Sequence, residues 1–207
     1  MAEFIELVKE RRSASNFLPD HEITKKDLDD IFELVKLGPS AYNLQHTNYL
    51  VVFDKEKKIK LQQAANGQHK VWSSSATIIV LGDIKAYQQA PNIYKGLELL
   101  GIVSKQEYDF MVEDTVSFHE NRGSEFQKEE AIRNASLSSM LFMLAAKEKG
   151  WDTCPMIGFD QEQVREILNI DETKEIVMMI TIGKEKISTR RPRGYRKPVG
   201  EFVTYVR

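Results

Sequence analysis

The chain has 207 residues, 42% hydrophobic and 29% charged, and its 29 Lys and Arg against 31 Asp and Glu leave a formal net charge of -2. That length supports one substantial core, and the balanced charge gives no global basic field for nucleic-acid binding, so any anion site must be built locally. The one cysteine, Cys154, excludes an intrachain disulfide and any centre built from several cysteines of one chain.

The elements follow in order. Phe4, Ile5, Leu7 and Val8 fall at helical spacing ahead of Arg11, predicting a short first helix. Its amphipathic character argues against a signal peptide. Thr24 and Asp27 form an approximate capping box, with Ile23 and Leu28 as a staple, for a helix whose apolar face is Leu28, Ile31, Phe32 and Val35. Gly38, as a left-handed cap, and Pro39 end it. Residues 49–53 (YLVVF) read as a buried strand, 55–65 as a helix with Ile59 and Leu61 partly inward, and 77–83 (TIIVLGD) as a second strand.

Residues 84–128 read as an excursion from the core, helical near 95–100 and 105–119, with a loop over NRGSE at 121–125. Residues 128–149 form the clearest helix, ended by Gly150. A strand-like WDTCPMIGF at 151–159, a helix over 161–168 and the apolar strand EIVMMITIG at 175–183 follow. Near-continuous apolar strands imply a sheet covered on both faces. The tail, 184–207, is a basic arm rich in Pro and Gly. One α+β domain spanning 1–207 is expected. The longest mostly apolar run, 137–146, is too short to span a bilayer, which predicts a cytoplasmic protein without membrane or nucleic-acid partners.

Standard chemical signatures are absent: no G-x-G-x-x-G, no P-loop, no G-x-S-x-G, and four histidines without ligand spacing. No metal site and no protein nucleophile are expected. Five polar constellations remain, each with two readings. Arg11, Arg12 and Ser13 suit a phosphate, because the planar guanidinium binds two oxygens at once; they equally suit a solvated helix end. Ser40, Asn43 and Gln45 could read a heterocycle edge, or form a polar connection. Lys70 could stabilise negative charge on a bound ring, or lie on the surface. Pro155 and Gly158 could let backbone approach a flat ligand, while Cys154 beside them reads as an inert buried thiol. Arg190, Arg191, Arg193 and Arg196 could return to complete a phosphate site, or form a solvated run.

In this order and spacing, RRS, GPSAYNLQHT, LAAKEKGWDTCPMIGFD, EIVMMITIG and YRKPVGEFV resemble the FMN-dependent nitroreductase family over essentially the whole chain. The resemblance implies a central, mostly antiparallel sheet flanked by helices and an intertwined homodimer with FMN at the subunit interface. It implies hydride transfer from NADH or NADPH through FMN N5 to nitroaromatic or quinone acceptors by ping-pong turnover. A specialised flavin reaction, such as dehalogenation, and a non-turnover FMN-binding or sensing role are the alternatives on the same fold.

Carried over by position, Arg11, Arg12 and Ser13 match phosphate and ribityl contacts, with Arg196 and Arg193 from the tail. Pro39, Ser40, Asn43 and Gln45 match the loop laid against the partner's flavin. Lys70 matches the electrostatic stabiliser near N1 and O2, with Gln68 and His69 beside it, and Pro155, Met156, Ile157, Gly158 and Phe159 match the segment along one flavin face. Two positions depart from the pattern. Ser15 stands where many relatives carry a basic residue, and Ile157 where several carry glutamate, which favours apolar acceptors.

Overall fold

In the computed structural model, which describes residues 3–207, four strands form one antiparallel sheet in the order β1-β2-β4-β3: β1 (Thr47–Val52), β2 (Ala76–Asp83), β3 (Asp152–Met156) and β4 (Lys174–Gly183). The central strands β2 and β4 alternate between two cores. Ile78, Val80, Ile180 and Ile182 face α2 (Lys25–Val35) and the long α6 (Lys105–Glu148). Ile79, Leu81, Ile176 and Met179 face the other side, against α3 (Lys55–Ala64) and α7 (Gln161–Leu168). Both faces are thus covered, as the apolar strands required, and each fully buried aliphatic side chain contributes about 1.5–3 kcal/mol. Pro155 is tolerated because β3 is an edge strand.

The capping box at Thr24 and Asp27 is complete, with both reciprocal hydrogen bonds made. Gly38 is not the left-handed cap expected: it lies outside the positive-φ glycines, and a Cβ there would meet Leu141 Cδ2 at 3.0 Å. Close approach of α2 to α6 is therefore what requires glycine. Helix α3 buries Lys58 and Leu61 and leaves Ile59 43% exposed. A one-turn helix, α4 (His69–Ser73), precedes β2 and escaped sequence detection because five residues carry too little periodicity.

The expected loop over 121–125 is also corrected. α6 runs from a capping box at Ser104 and Glu107 to a left-handed Gly150, and only Gly123, at φ 79° and ψ 177°, is non-helical. Across the kink the His119 carbonyl accepts from Gln127 Nε2 at 2.9 Å. With α5 (Ala90–Leu99), the first half of α6 encloses a third cluster around Tyr87, Ala90 and Tyr94, which includes Leu44. Helix α1 (Phe4–Glu10) buries no residue and leaves Phe4 and Ile5 largely exposed.

Candidate functional site

Chain segment 13–17 is pinned to the β3 side of the sheet. Ser13 pairs in parallel with Thr153, and Phe17 pairs antiparallel with Glu185 just beyond β4. Ala14 N–H donates to the Thr153 carbonyl at 3.0 Å, and Lys186 N–H to the Asn16 carbonyl at 2.9 Å. These bonds bring both ends of the chain together around a cleft of about 160 Å³. Of the expected residues, Arg11, Arg12, Ser13, Ser15, Arg193 and Arg196 line it. Arg190, Arg191 and Glu185 line it too; the sequence had marked the first two as part of the basic run, but gave no signal for Glu185.

The guanidinium groups are ordered mainly by carbonyls. Arg12 Nη2 donates to the Arg191 carbonyl at 2.7 Å, Arg193 Nη2 to the carbonyls of Lys9 and, at 3.3 Å, Arg11, and Arg196 Nη1 to the Tyr195 carbonyl at 2.8 Å. Glu185, 6% exposed, is the one acid lining the cleft and is engaged by Arg190. Burial, and then repulsion from Arg193 and Arg196, lowers the pKa of Arg11. Cations held this close with one acid among them give the cleft a surplus of positive charge, the chemistry an anion requires.

A second group forms beyond the far end of β3. Gln68 Nε2 donates to the Gly158 carbonyl at 3.0 Å, and Asp160 N–H to the Ala64 carbonyl at 2.8 Å. Gln68, the residue that opens α4, thereby ties the start of that helix, with His69 and Lys70 next in sequence, to the 157–159 turn. Lys70 makes no ion pair among the described residues. Ile157 is 76% exposed, whereas the side chains of Met156 and Phe159 pack into the second core and leave only backbone for a ligand. Cys154 is a buried free thiol, as expected.

The third group is the loop at 39–45. Pro39, Ser40 and Gln45 line a separate cavity of about 210 Å³ that shares no residue with the arginine cleft, and Asn43 is exposed outside it. Three non-glycine residues here have left-handed backbone: Tyr42 (φ 52°), Asn43 (φ 54°) and Gln45 (φ 52°). Such residues cost of order 1–3 kcal/mol each and persist only where surroundings hold them. Here Ala41 N–H donates to Asn134 Oδ1 at 2.8 Å, Gln45 N–H to Ser40 Oγ at 3.0 Å, and Tyr94 Oη to the Tyr42 carbonyl at 3.0 Å. The two anchors from α5 and α6 were invisible in the sequence, since each lies more than 50 residues away.

Among the described residues no helix is long and apolar enough to cross a membrane. Residues 8–184 match the sequence model of the nitroreductase family. The chain is 70% identical over 206 residues to the candidate NAD(P)H nitroreductase MhqN of Bacillus subtilis, covering 100% of both. It superposes on the crystal structure of a candidate nitroreductase, ydfN, from the same organism with a TM-score of 0.97 at 69% identity, covering 100% of both chains. A candidate nitroreductase from Exiguobacterium sibiricum, crystallised in complex with FMN, matches at 31% identity and a TM-score of 0.91, covering 100% of this chain and 98% of that one. Sequence and fold agree over the full length, and the chain belongs to the nitroreductase family of enzymes.

Proposed function

We propose that the protein is an FMN-dependent NAD(P)H oxidoreductase that reduces nitroaromatic or quinone-type acceptors by ping-pong turnover as a homodimer. The observation that carries this reading is the arginine cleft. Six arginines surround a space with one lining acid, already engaged by Arg190. That donor set fits a phosphate monoester dianion. Arg11, Arg12, Arg193 and Arg196 hold the phosphate, and Ser13 and Ser15 add hydroxyl donors beside it.

From Thr153 at the cleft to Gly158 is five residues, or about 17 Å of extended chain, so β3 leads from the phosphate end to the Gln68–Lys70 group. Lys70, without an ion-pair partner among the described residues, serves in this reading to stabilise negative charge on a reduced ring. When bound, FMN supplies the hydride exchange between nicotinamide and acceptor, so no protein nucleophile is required. Exposed Ile157 gives the acceptor an apolar neighbour, which favours quinones. The homodimer is supported by the uncovered apolar residues of α1 and by Leu34, Leu37, Leu137 and Met140, all at least 40% exposed.

Purified protein loaded with FMN is expected to be yellow, to bleach anaerobically with NADH or NADPH, and to regain colour with a quinone or nitroaromatic. Protein that takes up no FMN overturns the reading. Bound FMN that neither nicotinamide reduces points to the non-turnover binding role, and slow reoxidation by every simple acceptor points to a specialised reaction.

A further inference from the structure

Behind the left-handed loop lies a buried polar cluster that the flavin chemistry does not use. His46, Glu130 and His119 are 2%, 4% and 1% exposed. Glu130 Oε2 is 2.7 Å from His119 Nε2 and 3.5 Å from His46 Nε2. The shorter contact falls outside hydrogen-bond geometry, so it is a close polar contact rather than a directed bond. His119 Nδ1 is 2.6 Å from the Thr115 carbonyl, which can only accept, so Nδ1 carries a proton. Burial alone would raise the Glu130 pKa, but hydrogen bonding from His46 and the charge of both imidazoles outweigh it and hold the group below its ordinary value. The cluster is therefore a carboxylate clamped between imidazoles. Among the described residues no group of His, Cys, Asp or Glu is placed to hold a metal ion.

Both long-range fastenings of the loop lead to this cluster. His46 directly follows left-handed Gln45. Asn134, which accepts from Ala41 N–H, donates to the Glu130 carbonyl at 2.8 Å one turn away on α6. Tyr94, which holds the Tyr42 carbonyl, also bonds Thr115 Oγ1 at 3.2 Å. The Tyr42 ring meets His119 edge-on at 5.4 Å, and Tyr87 stacks on the other side of that imidazole at 5.4 Å. Gln127 fixes the His119 carbonyl across the Gly123 break.

We propose that the His46–Glu130–His119 cluster is a brace that holds the loop at residues 40–45 in its left-handed form, with Glu130 as the positioning residue that sets where Asn43 and Gln45 meet the isoalloxazine. The second half of that statement rests on the FMN reading above; the first does not. A breakage of the brace releases the loop to ordinary backbone angles, which relieves the strain and removes the pre-set geometry.

The test uses Glu130→Gln and Tyr94→Phe in the full chain. Tyr94→Phe keeps the ring and loses only the hydroxyl, so it remains informative if Glu130→Gln fails to fold. In flavin-free protein, amide hydrogen exchange at Ala41, Asn43, Leu44 and Gln45 is expected to accelerate at least about tenfold while β2 and β4 keep their protection. In FMN-loaded protein, acceptor KM is expected to rise about three- to tenfold with flavin affinity changed less than about threefold, and the visible circular dichroism of the flavin should change. Loop exchange that stays at the wild-type rate in both variants, or that rises only in step with the sheet, overturns the brace. Faster loop exchange with unchanged KM and flavin dichroism overturns the positioning role alone. Because exchange is read without flavin, failure of the FMN reading does not mimic failure of the brace.

Discussion

Around the cleft, Arg11, Arg12, Arg190, Arg191, Arg193 and Arg196 converge with one buried acid, Glu185, among them. Around Glu130, two imidazoles converge on one carboxylate, and all three residues are at most 4% exposed. The first region is open and carries more positive charge than its own acids can balance. The second is closed, and its polar groups face one another. Crowded like charges raise the energy of the empty cleft, and a dianion relieves it, so the surplus is a binding device. A buried polar set closed off from solvent has no opening for a ligand, so its effect is on geometry.

The comparison breaks most sharply at Arg12. Arg12→Ala removes a charge-assisted donor worth roughly 1.5–3 kcal/mol, and so should weaken FMN binding about 10- to 100-fold. Fluorescence titration of flavin-free protein measures it. Unchanged affinity would mean that the cleft's surplus charge serves something other than the phosphate. Part of the loss comes through the tail, because the same guanidinium holds the Arg191 carbonyl.

Gly123→Ala tests the closed region from outside it. At φ 79° and ψ 177° an alanine is strained by about 1–3 kcal/mol, which for a chain of this size lowers Tm by about 2–10 °C. No residue of α6 lines the arginine cleft, so flavin affinity should hold while stability falls. A parallel loss of both, in thermal melts and FMN titrations, would show that the two regions are coupled.

Much of this was legible in the chain because it is local. RRS, the Thr24–Asp27 box and the continuous burial of Ile78, Ile79 and Val80 are readable within a few residues. The tail could be suspected of meeting Arg11, since both carry the same unbalanced charge. His46, His119 and Glu130 gave no such sign. They lie up to 84 positions apart (130 − 46), and an isolated histidine in an ordinary pattern carries no spacing rule. The NRGSE stretch misled because its polar residues suit a loop, whereas tertiary packing of α6 on both sides needs only Gly123 to depart from helix.

Glu130 and its neighbours also predict an acid effect. Its pKa is held below the unfolded value of about 4.3, so its contribution to stability is present above that pH and is lost as pH falls through the folded value. The ionisable groups around it are His46 and His119, with Lys85 Nζ over the Tyr87 ring at 5.7 Å from its centroid. Wild type should therefore lose more Tm than Glu130→Gln on acidification below about pH 4.3, as followed by circular dichroism. Equal acid limbs would place Glu130 outside the stabilising charge set.

Lys58 sharpens the contrast, because it is as buried as the Glu130 cluster and as unmatched as the cleft. It is 6% exposed, Nζ donates to the Ser74 carbonyl, and no acid pairs with it among the described residues. Burial, with repulsion from Lys55, lowers its pKa to about 8. The unfolded chain keeps that proton up to about pH 10.4, so between these values it binds more protons than the folded chain and stability rises with pH. Below pH 8 the charged amine is a standing cost in both thermal and chemical unfolding. Lys58→Met should flatten the rise in Tm between about pH 8 and 10 relative to wild type, because the lysines that titrate alike in both states cancel. An unaltered slope would mean that Lys58 keeps its proton, and that the Ser74 carbonyl alone balances a buried cation.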